Sequence, residues 1–450
     1  MANKSFSLEL NSKIKPFSKI IKVDSDKSLS IRSFLIASIS QNISKVDNVL
    51  ESEDVFSTIS CLRKLGVKIK KKKTGSYLIY GKGLGSLFAK KNLNLNLGNS
   101  GTACRLLIGI LSSTPNIEVN LKGDHSLNKR SMKNLILLMS EFGAEFYPKN
   151  KYHLPLKIKS TEMPVGINYT AGVSAQLKSA VILAGLNSYG ETEIIEKNKS
   201  RDHTENILKK NSQAIKIFKG KENIIKISGK KQIDSLRMFV PGDPSSSAFF
   251  TALTLMNKNS SLKIKNVCLN KTRIGFYELL KRHGAKIRFA NIIRKNNEVV
   301  GDIFVKSGNL KKPIYASKDY YEKTTDEFPI LFCIAALTKG VSVFRGIGDL
   351  ANKESNRVIE MQKVLKQIGI KSVATKNEIK IYGGKLNKSN RLIKVPNLGD
   401  HRICMSSTVL ALITGIKTKI KNFETVYTSS PNFLNIIKLL GGKFEIKKQS

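Results

Sequence analysis

Apolar positions along the chain fall into two kinds of run. The first is short and continuous, as in AVILAGL (Ala180–Leu186) and PILFCIAAL (Pro329–Leu337). These runs are far below the ~18 residues that a membrane span needs and read as buried core elements. The second kind has helical spacing and ends on a glycine. LRKLGVKI (Leu62–Ile69), MSEFGAEF (Met139–Phe146), LKRHGAKI (Leu280–Ile287), LKQIGIKS (Leu365–Ser372) and IKLLGGKF (Ile437–Phe444) share this design. Each predicts the end of an amphipathic helix, a left-handed glycine cap and the start of a strand. A sixth, degraded copy is read at ILKKNSQAIKI (Ile207–Ile217), with Asn211 or Ser212 near the cap site and no glycine. The copies recur roughly every 75 residues. Between them lie β-rich segments such as SYLIYGKG (Ser76–Gly83), so the pattern predicts six α/β units, three to a domain.

With 450 residues, the chain exceeds the ~250 to 300 at which a single core stops growing, so two domains are expected. The break is placed around Val240–Pro244, where a Pro-Gly-Asp-Pro turn in RMFVPGDPSSSAFF runs into a small-residue helix start. The opening strand SFSLELN precedes the first unit and is free to pair back with the last domain.

Composition changes this picture little. Hydrophobic residues at 41% and charged residues at 25% are a globular balance. The 77 basic and 34 acidic side chains leave a formal charge of +43, which taken alone suggests a nucleic acid or an anionic membrane as partner. The lysines are spread over the whole chain, as in KIKKKKT (Lys68–Thr74), without interleaved aromatics. Neither nucleic acid nor membrane is therefore expected; a Lys, Asn and Ile bias of the source and small anionic substrates are the alternatives. The five cysteines are scattered and never in CxxC spacing, and the five histidines form no HxH or HExxH pair. Reduced thiols and no metal are the expectation. The amino-terminal stretch MANKSFSLELNSK has no apolar core of an export signal, so a cytoplasmic location is the expectation.

The chemistry concentrates where helices begin. In LGNSGTACRLL (Leu97–Leu107) a tight small-residue turn opens a helix beside an arginine. Backbone amides at such a start form an anion site, though an ordinary turn before a core helix reads the same way. Similar constructions recur. VDSDKSLSIRSFLIASIS sets Lys27, Ser28 and Arg32 at a helix start, with Ser28 and Arg32 on one face. GDHSLNKRSM holds Arg130, AGVSAQLKSAVILAGL begins a helix at Ser174-Ala175-Gln176, KSRDHTENI offers Ser200 and Arg201, and VPGDPSSSAFF offers Asp243. NKESNRVIEM is read as placing Lys353, Glu354 and Arg357 within one turn, and LGDHRICMSS places Asp400, His401 and Arg402 before an apolar helix. Seven helix starts beyond the first, dressed with Ser, Lys or Arg, suggest one cleft built for a polyanion. Asp326-Glu327 and Glu354 interrupt this basic inventory as candidates for proton transfer, against the alternative of carboxylates favoured at a helix start by its dipole.

Lys27-Ser28-x-x-x-Arg32, Gly98-Asn99-Ser100-Gly101-Thr102-x-x-Arg105, GDxSLxxR ending at Arg130, SAQxK at Ser174–Lys178, Asp326-Glu327-x-Pro329, KESxR at Lys353–Arg357 and Asp400-His401-Arg402 occur in this order. Jointly they resemble the 3-phosphoshikimate 1-carboxyvinyltransferase (EPSP synthase) family from about Val23 to Phe433. The resemblance implies a two-domain α/β enolpyruvyl transferase architecture: six βαβαββ units, three per domain, around an interdomain cleft. The domains would be 25–241, and 1–24 plus 242–450. It implies transfer of the enolpyruvyl group of phosphoenolpyruvate to the 5-hydroxyl of shikimate 3-phosphate with release of phosphate, by a monomer without metal or organic cofactor. By the same resemblance Asp326, Glu354 and Lys27 are catalytic, with Lys27 bridging both substrates. Arg130, Gln176 and the Gly101 amide hold the phosphate of phosphoenolpyruvate, and Arg357 with Arg402 its carboxylate. Ser28 and Arg32 take the shikimate carboxylate; Ser174, Ser200 and Lys353 take the 3-phosphate, with Ala175 beside them and Arg105 behind. The chain departs from the family at Asn356, where Asp is usual, which is expected to weaken a partner of Arg357. It departs again at Thr428-Ser429-Ser430-Pro431, where many members place a lysine. A sister enzyme acting on UDP-N-acetylglucosamine carries a loop cysteine followed by Arg-Pro that GDHSLNKRSMKN lacks. A basic nucleic-acid-binding protein has only the charge in its favour.

Overall fold

The computed structural model describes residues 5–308, 310–384, 386 and 392–448. Met1–Lys4, where the segment read for an export signal begins, lies outside them. The chain forms two compact units. One holds Ser25–Val240 and Arg294–Glu298; the other holds the chain up to Asp24, Pro241–Ile293 and the residues from Val299 onward. The five-residue excursion at Arg294–Glu298 is the tip of a hairpin between strands Lys286–Lys295 and Glu298–Lys306, and the repeat pattern does not announce it.

Each unit contains three four-stranded sheets. The unit around LGNSGTACRLL is representative. Strand Leu93–Asn96 runs parallel to Glu118–Lys122, which pairs antiparallel with Leu156–Lys159, which pairs antiparallel with Glu145–Tyr147. Helix Gly101–Ser112 crosses between the two parallel strands, and Lys133–Glu141 leads into the antiparallel pair. The sequence order is therefore βαβαββ. Three sheets borrow a strand from elsewhere in the chain. Arg237–Phe239 lies parallel to Ile43–Asp47, Ser18–Ile21 lies parallel to Ser261–Cys268, and Phe6–Leu10 inserts between Lys417–Ile420 and Glu445–Lys448.

The crossover helices form the interior. In the first unit Gly101–Ser112 packs against both Lys27–Ile39 and Ala175–Gly185. In the second, Pro244–Met256, Phe328–Leu337 and His401–Thr414 pack pairwise. Nearly every residue of these last three helices is buried, so they are covered on all sides rather than along one stripe. Among the described residues no helix is long and apolar enough to cross a membrane.

The outer helices end as the repeat predicts. Gly66, Gly143, Gly284, Gly369 and Gly441 all have positive φ. The residue after each glycine donates its amide five positions back: Val67 to Leu62, Ala144 to Met139, Ala285 to Leu280, Ile370 to Leu365 and Gly442 to Ile437. This is the Schellman closure, which satisfies a carbonyl left open at the helix end. The degraded copy ends differently: helix His203–Leu208 stops short, and Asn211 donates to the Leu208 carbonyl at 2.8 Å without adopting positive φ. Left-handed backbone elsewhere is supplied by further glycines and by asparagine. Eleven of the twelve non-glycine residues at positive φ among the described residues are Asn, the side chain that tolerates this region best after glycine.

At Gly66 an added Cβ meets nothing within 4 Å while φ is +87°, so backbone strain is isolated from packing. Gly66→Ala is expected to lower stability by about 1 kcal/mol and Gly66→Asn by less. Urea unfolding of both variants checks the order, and equal stability of wild type and Gly66→Ala would remove the cap argument.

Candidate active site

Each unit presents its polar chemistry at the amino ends of its buried helices. In the first unit, Asp26 caps helix Lys27–Ile39 by accepting the Leu29 amide at 2.7 Å. Lys27, the first residue of that helix, holds its ammonium 2.9 Å from Asp54 Oδ2. Arg32 is only 2% exposed. It donates to Ser28 Oγ, to the Ser28 carbonyl at 3.3 Å, to Thr204 Oγ1 at 2.9 Å and to Ser179 Oγ at 3.2 Å. Ser28 is thus the reachable member of the pair, with the guanidinium behind it stabilising negative charge brought to the hydroxyl.

At LGNSGTACRLL two arginines gather about a helix start. Ser100 caps helix Gly101–Ser112 by accepting the Ala103 amide at 3.2 Å. A Cβ at Gly101 would stand 2.8 Å from Arg105 Nη1 and 2.9 Å from Arg130 Nη1. Glycine here lets two guanidinium groups approach the backbone. Arg105 donates to Gln176 Oε1 at 3.0 Å, and Gln176 Nε2 donates to Thr102 Oγ1 at 3.0 Å. Arg130 donates to Asn99 Oδ1 at 2.8 Å, and Asn99 in turn donates to Asp124 at 2.7 Å. Ser174 caps helix Ala175–Gly185, leaving Ala175 and Gln176 in its first turn. Gly101, Arg105, Arg130 and Gln176 therefore form one hydrogen-bonded and packed group. Ser200 belongs to another: its amide and hydroxyl both donate to Glu196 Oε1 at 2.8 Å.

In the second unit the centre is Arg357, 1% exposed. Its Nε donates to Asp400 Oδ2 at 3.0 Å, its Nη2 to Glu354 Oε2 at 2.5 Å and its Nη1 to Asp326 Oδ1 at 3.4 Å. Burial works against the guanidinium charge, but these three carboxylates outweigh it and push its pKa further up. The expected single turn holding Lys353, Glu354 and Arg357 is not formed. A 3-10 helix ends at Asn352 and helix Arg357–Gln367 begins at Arg357, leaving Lys353 and Glu354 in the connection. Asn356 caps that helix, accepting the Ile359 amide at 3.2 Å, and Arg357 takes its charged partners from Glu354, Asp326 and Asp400. Lys353 lies 2.6 Å from Asp349 Oδ2, which also accepts Tyr321 Oη at 2.8 Å.

Arg402 sits in the first turn of helix His401–Thr414, whose cap Asp400 accepts its amide at 2.9 Å. It is 4% exposed, and its Nε and Nη1 are buried without a hydrogen-bond partner among the described residues. A buried guanidinium with open donors is costly unless an anion completes it. The departure at Thr428–Pro431 has a structural use: Ser430 Oγ and both nitrogens of Asn432 donate to Asp24 at 2.8 to 3.0 Å. Among the described residues no group of three or more His, Cys, Asp or Glu could hold a metal ion.

Sequence reasoning missed several partners. Asp54 sits in an ordinary acidic helix start and carries no local sign of its pairing with Lys27. Glu196, with Lys178 and Glu205, was hidden because buried ion pairs leave no spacing rule; only the SAQxK and RDHTE motifs that contain Lys178 and Glu205 hinted at them.

The model of the EPSP synthase (3-phosphoshikimate 1-carboxyvinyltransferase) family matches residues 11–437. A 3-phosphoshikimate 1-carboxyvinyltransferase of Zymomonas mobilis is 36% identical over 442 residues, covering 96% of each chain. One of Petrotoga mobilis is 38% identical over 421 residues, covering 93% of this chain and 96% of that one. The solved EPSP synthase of Acinetobacter baumannii superposes with a TM-score of 0.84 at 33% identity, over 98% of this chain and 100% of the other. The enolpyruvyl transferase NikO of Streptomyces tendae shares the fold at 12% identity, with a TM-score of 0.78. On the extent and identity of these matches, the chain belongs to the EPSP synthase family.

Proposed function

We propose that this protein transfers the enolpyruvyl group of phosphoenolpyruvate to the 5-hydroxyl of shikimate 3-phosphate, releasing phosphate. The observation that carries the reading is the Arg357 fork, which holds two carboxylates, Glu354 and Asp326, on its two terminal nitrogens. Family membership supplies the substrates.

The reaction adds the 5-hydroxyl to C2 of the enol while C3 takes a proton, then eliminates phosphate as C3 gives a proton back. It needs a group that first donates and then accepts at C3, and a base for the hydroxyl proton. Glu354 is assigned the first task and Asp326 the second. A shared guanidinium suits this pairing, because a proton gained by one carboxylate strengthens the hold on the other. Lys27 stabilises the departing phosphate; its pairing with Asp54 keeps the ammonium in place. Gly101, Arg130 and Gln176 hold the phosphate of phosphoenolpyruvate. Its carboxylate goes to Arg402, whose open donors fit it, with Arg357 beside it. Ser28, backed by Arg32, takes the shikimate carboxylate. Ser174, Ala175, Ser200 and Lys353 take the 3-phosphate, and Lys353 leaves Asp349 to do so.

Phosphate release from phosphoenolpyruvate, measured with and without shikimate 3-phosphate, tests the assignment. Release should require shikimate 3-phosphate and fall by ~100-fold or more in Asp326→Ala. Release that is independent of the acceptor, or an unimpaired variant, would sink it. For Arg402→Gln, loss of a charge-assisted contact predicts a KM for phosphoenolpyruvate raised by roughly 10- to 100-fold. The KM for shikimate 3-phosphate should stay within about twofold. Steady-state kinetics with each substrate varied in turn separates the two.

A further inference from the structure

Ser200 is 1% exposed, and it rests against a set of buried charges that no step above uses. Glu196 closes strand Glu191–Glu196. Its Oε1 accepts from the Ser200 amide, the Ser200 hydroxyl and the Lys178 ammonium, at 2.8, 2.8 and 2.7 Å. Its Oε2 accepts from Asn223 Nδ2 at 3.2 Å. Lys178, on helix Ala175–Gly185, is also 2.6 Å from Glu205 Oε1 on helix His203–Leu208. All three charged side chains are buried. Glu205 Oε2 has no hydrogen-bond partner among the described residues.

One cation facing two carboxylates cannot be a simple ion pair, since a net buried charge is expensive. The two carboxylates are unequal. Burial raises the Glu205 carboxyl and Lys178 only partly offsets it. At Glu196 burial pushes the same way but is outweighed by the Lys178 charge and the Ser200 bonds, leaving its pKa lowered. The charged form is therefore favoured more at Glu196, the carboxylate that grips Ser200, than at Glu205. Residues 197–200 lie in no helix or strand, so these side-chain bonds set where Ser200 stands.

We propose that Glu196 is a positioning residue for Ser200: its carboxylate holds the amide and hydroxyl of Ser200, and Lys178, shared with Glu205, holds the carboxylate. This rests on the assignment of Ser200 to the 3-phosphate. A phosphate dianion only accepts hydrogen bonds. On binding, the Ser200 hydroxyl proton turns from Glu196 to the ligand, while the amide bond and the Lys178 contact keep the residue in place.

Calorimetric binding of shikimate 3-phosphate to the full chain, together with steady-state kinetics, tests this on Glu196→Gln, Ser200→Ala and the double variant. Glu196→Gln should weaken shikimate 3-phosphate binding by about tenfold and leave the KM for phosphoenolpyruvate within about twofold. Because Glu196 acts through Ser200, the double variant should bind no more weakly than Ser200→Ala alone. Additive losses, equal losses for both substrates, or unchanged binding in Glu196→Gln would each overturn the proposal. Asn223→Ala removes only the half-buried 3.2 Å bond and carries the test should Glu196→Gln fail to fold. A selective loss of about twofold for shikimate 3-phosphate supports the proposal, and unchanged affinity overturns it. A wild type that binds shikimate 3-phosphate but releases no phosphate would overturn the proposed reaction, leaving the binding comparison to decide on Glu196. A wild type that does not bind it overturns both.

Discussion

Helices such as Phe328–Leu337 and His401–Thr414 are buried on every face, so the side chains along their bodies cannot carry chemistry and those at their ends must. The first amides of a helix have no partner within it. Where the body of the helix is sunk in apolar surroundings, those amides require a cap, a ligand or both. The caps are Asp26, Ser100, Ser174, Asp243 and Asp400, each accepting from the first turn. Beside them stand Lys27, Arg105 and Arg402, together with Arg273, whose Nη2 lies 3.2 Å from Asp243 Oδ1. The sheets follow from the same constraint: something must cover the apolar helices, and a half-polar sheet does so with its inner face.

The large positive charge belongs to the outer surface of this arrangement. Strand Lys68–Lys73 exposes five of its six residues, and Lys68 and Lys70 lie over the Tyr80 ring at 4.8 and 5.9 Å. Lys149 over Tyr147, Lys371 over Tyr382 and Arg345 over Tyr315 repeat the motif on other sheets. Long cationic side chains there cover exposed rings with their stems while the charge stays in water. The basic groups at the helix starts are different in kind. Arg32, Arg357 and Arg402 are buried, and each is held, or left open, by a defined set of partners.

Charge inside the protein is handled by sharing. Arg357 serves three carboxylates, and Lys178 serves two. In both clusters a residue proposed to meet substrate hangs on a buried ion: Asp326 and Glu354 on Arg357, Ser200 on Glu196. Removing one member of such a cluster leaves its neighbours charged and unsatisfied, which costs far more than the bond itself. That coupling also holds reactive side chains still without burying them beyond reach.

The repeat, its glycine caps and the residue types at each helix start are legible along the chain because their causes are local. A Schellman closure spans five residues, as from Val67 to Leu62, and a cap reaches two or three residues ahead, as from Asp400 to the Arg402 amide. Spacing alone exposes such features, and the ordered motifs at Lys27, Gly101, Arg130, Asp326 and Arg357 suffice for the family. The loss of the expected turn at Lys353–Arg357 was not legible, since an Asn and a Ser next to one another admit more than one cap. Nor were the partners that charged side chains find far along the chain. Lys27 finds Asp54, Arg357 finds Asp400 and Lys178 finds Glu196 only once helices and strands distant in sequence have been packed side by side. The strands at Ser18–Ile21 and Arg237–Phe239 likewise join sheets far along the chain, whereas the return of Phe6–Leu10 to the last sheet follows the sequence reading. Local rules act through the backbone within about a turn; the choice among distant partners is made by burial, which removes water as the competing ligand and leaves each charge only the neighbours that the fold provides.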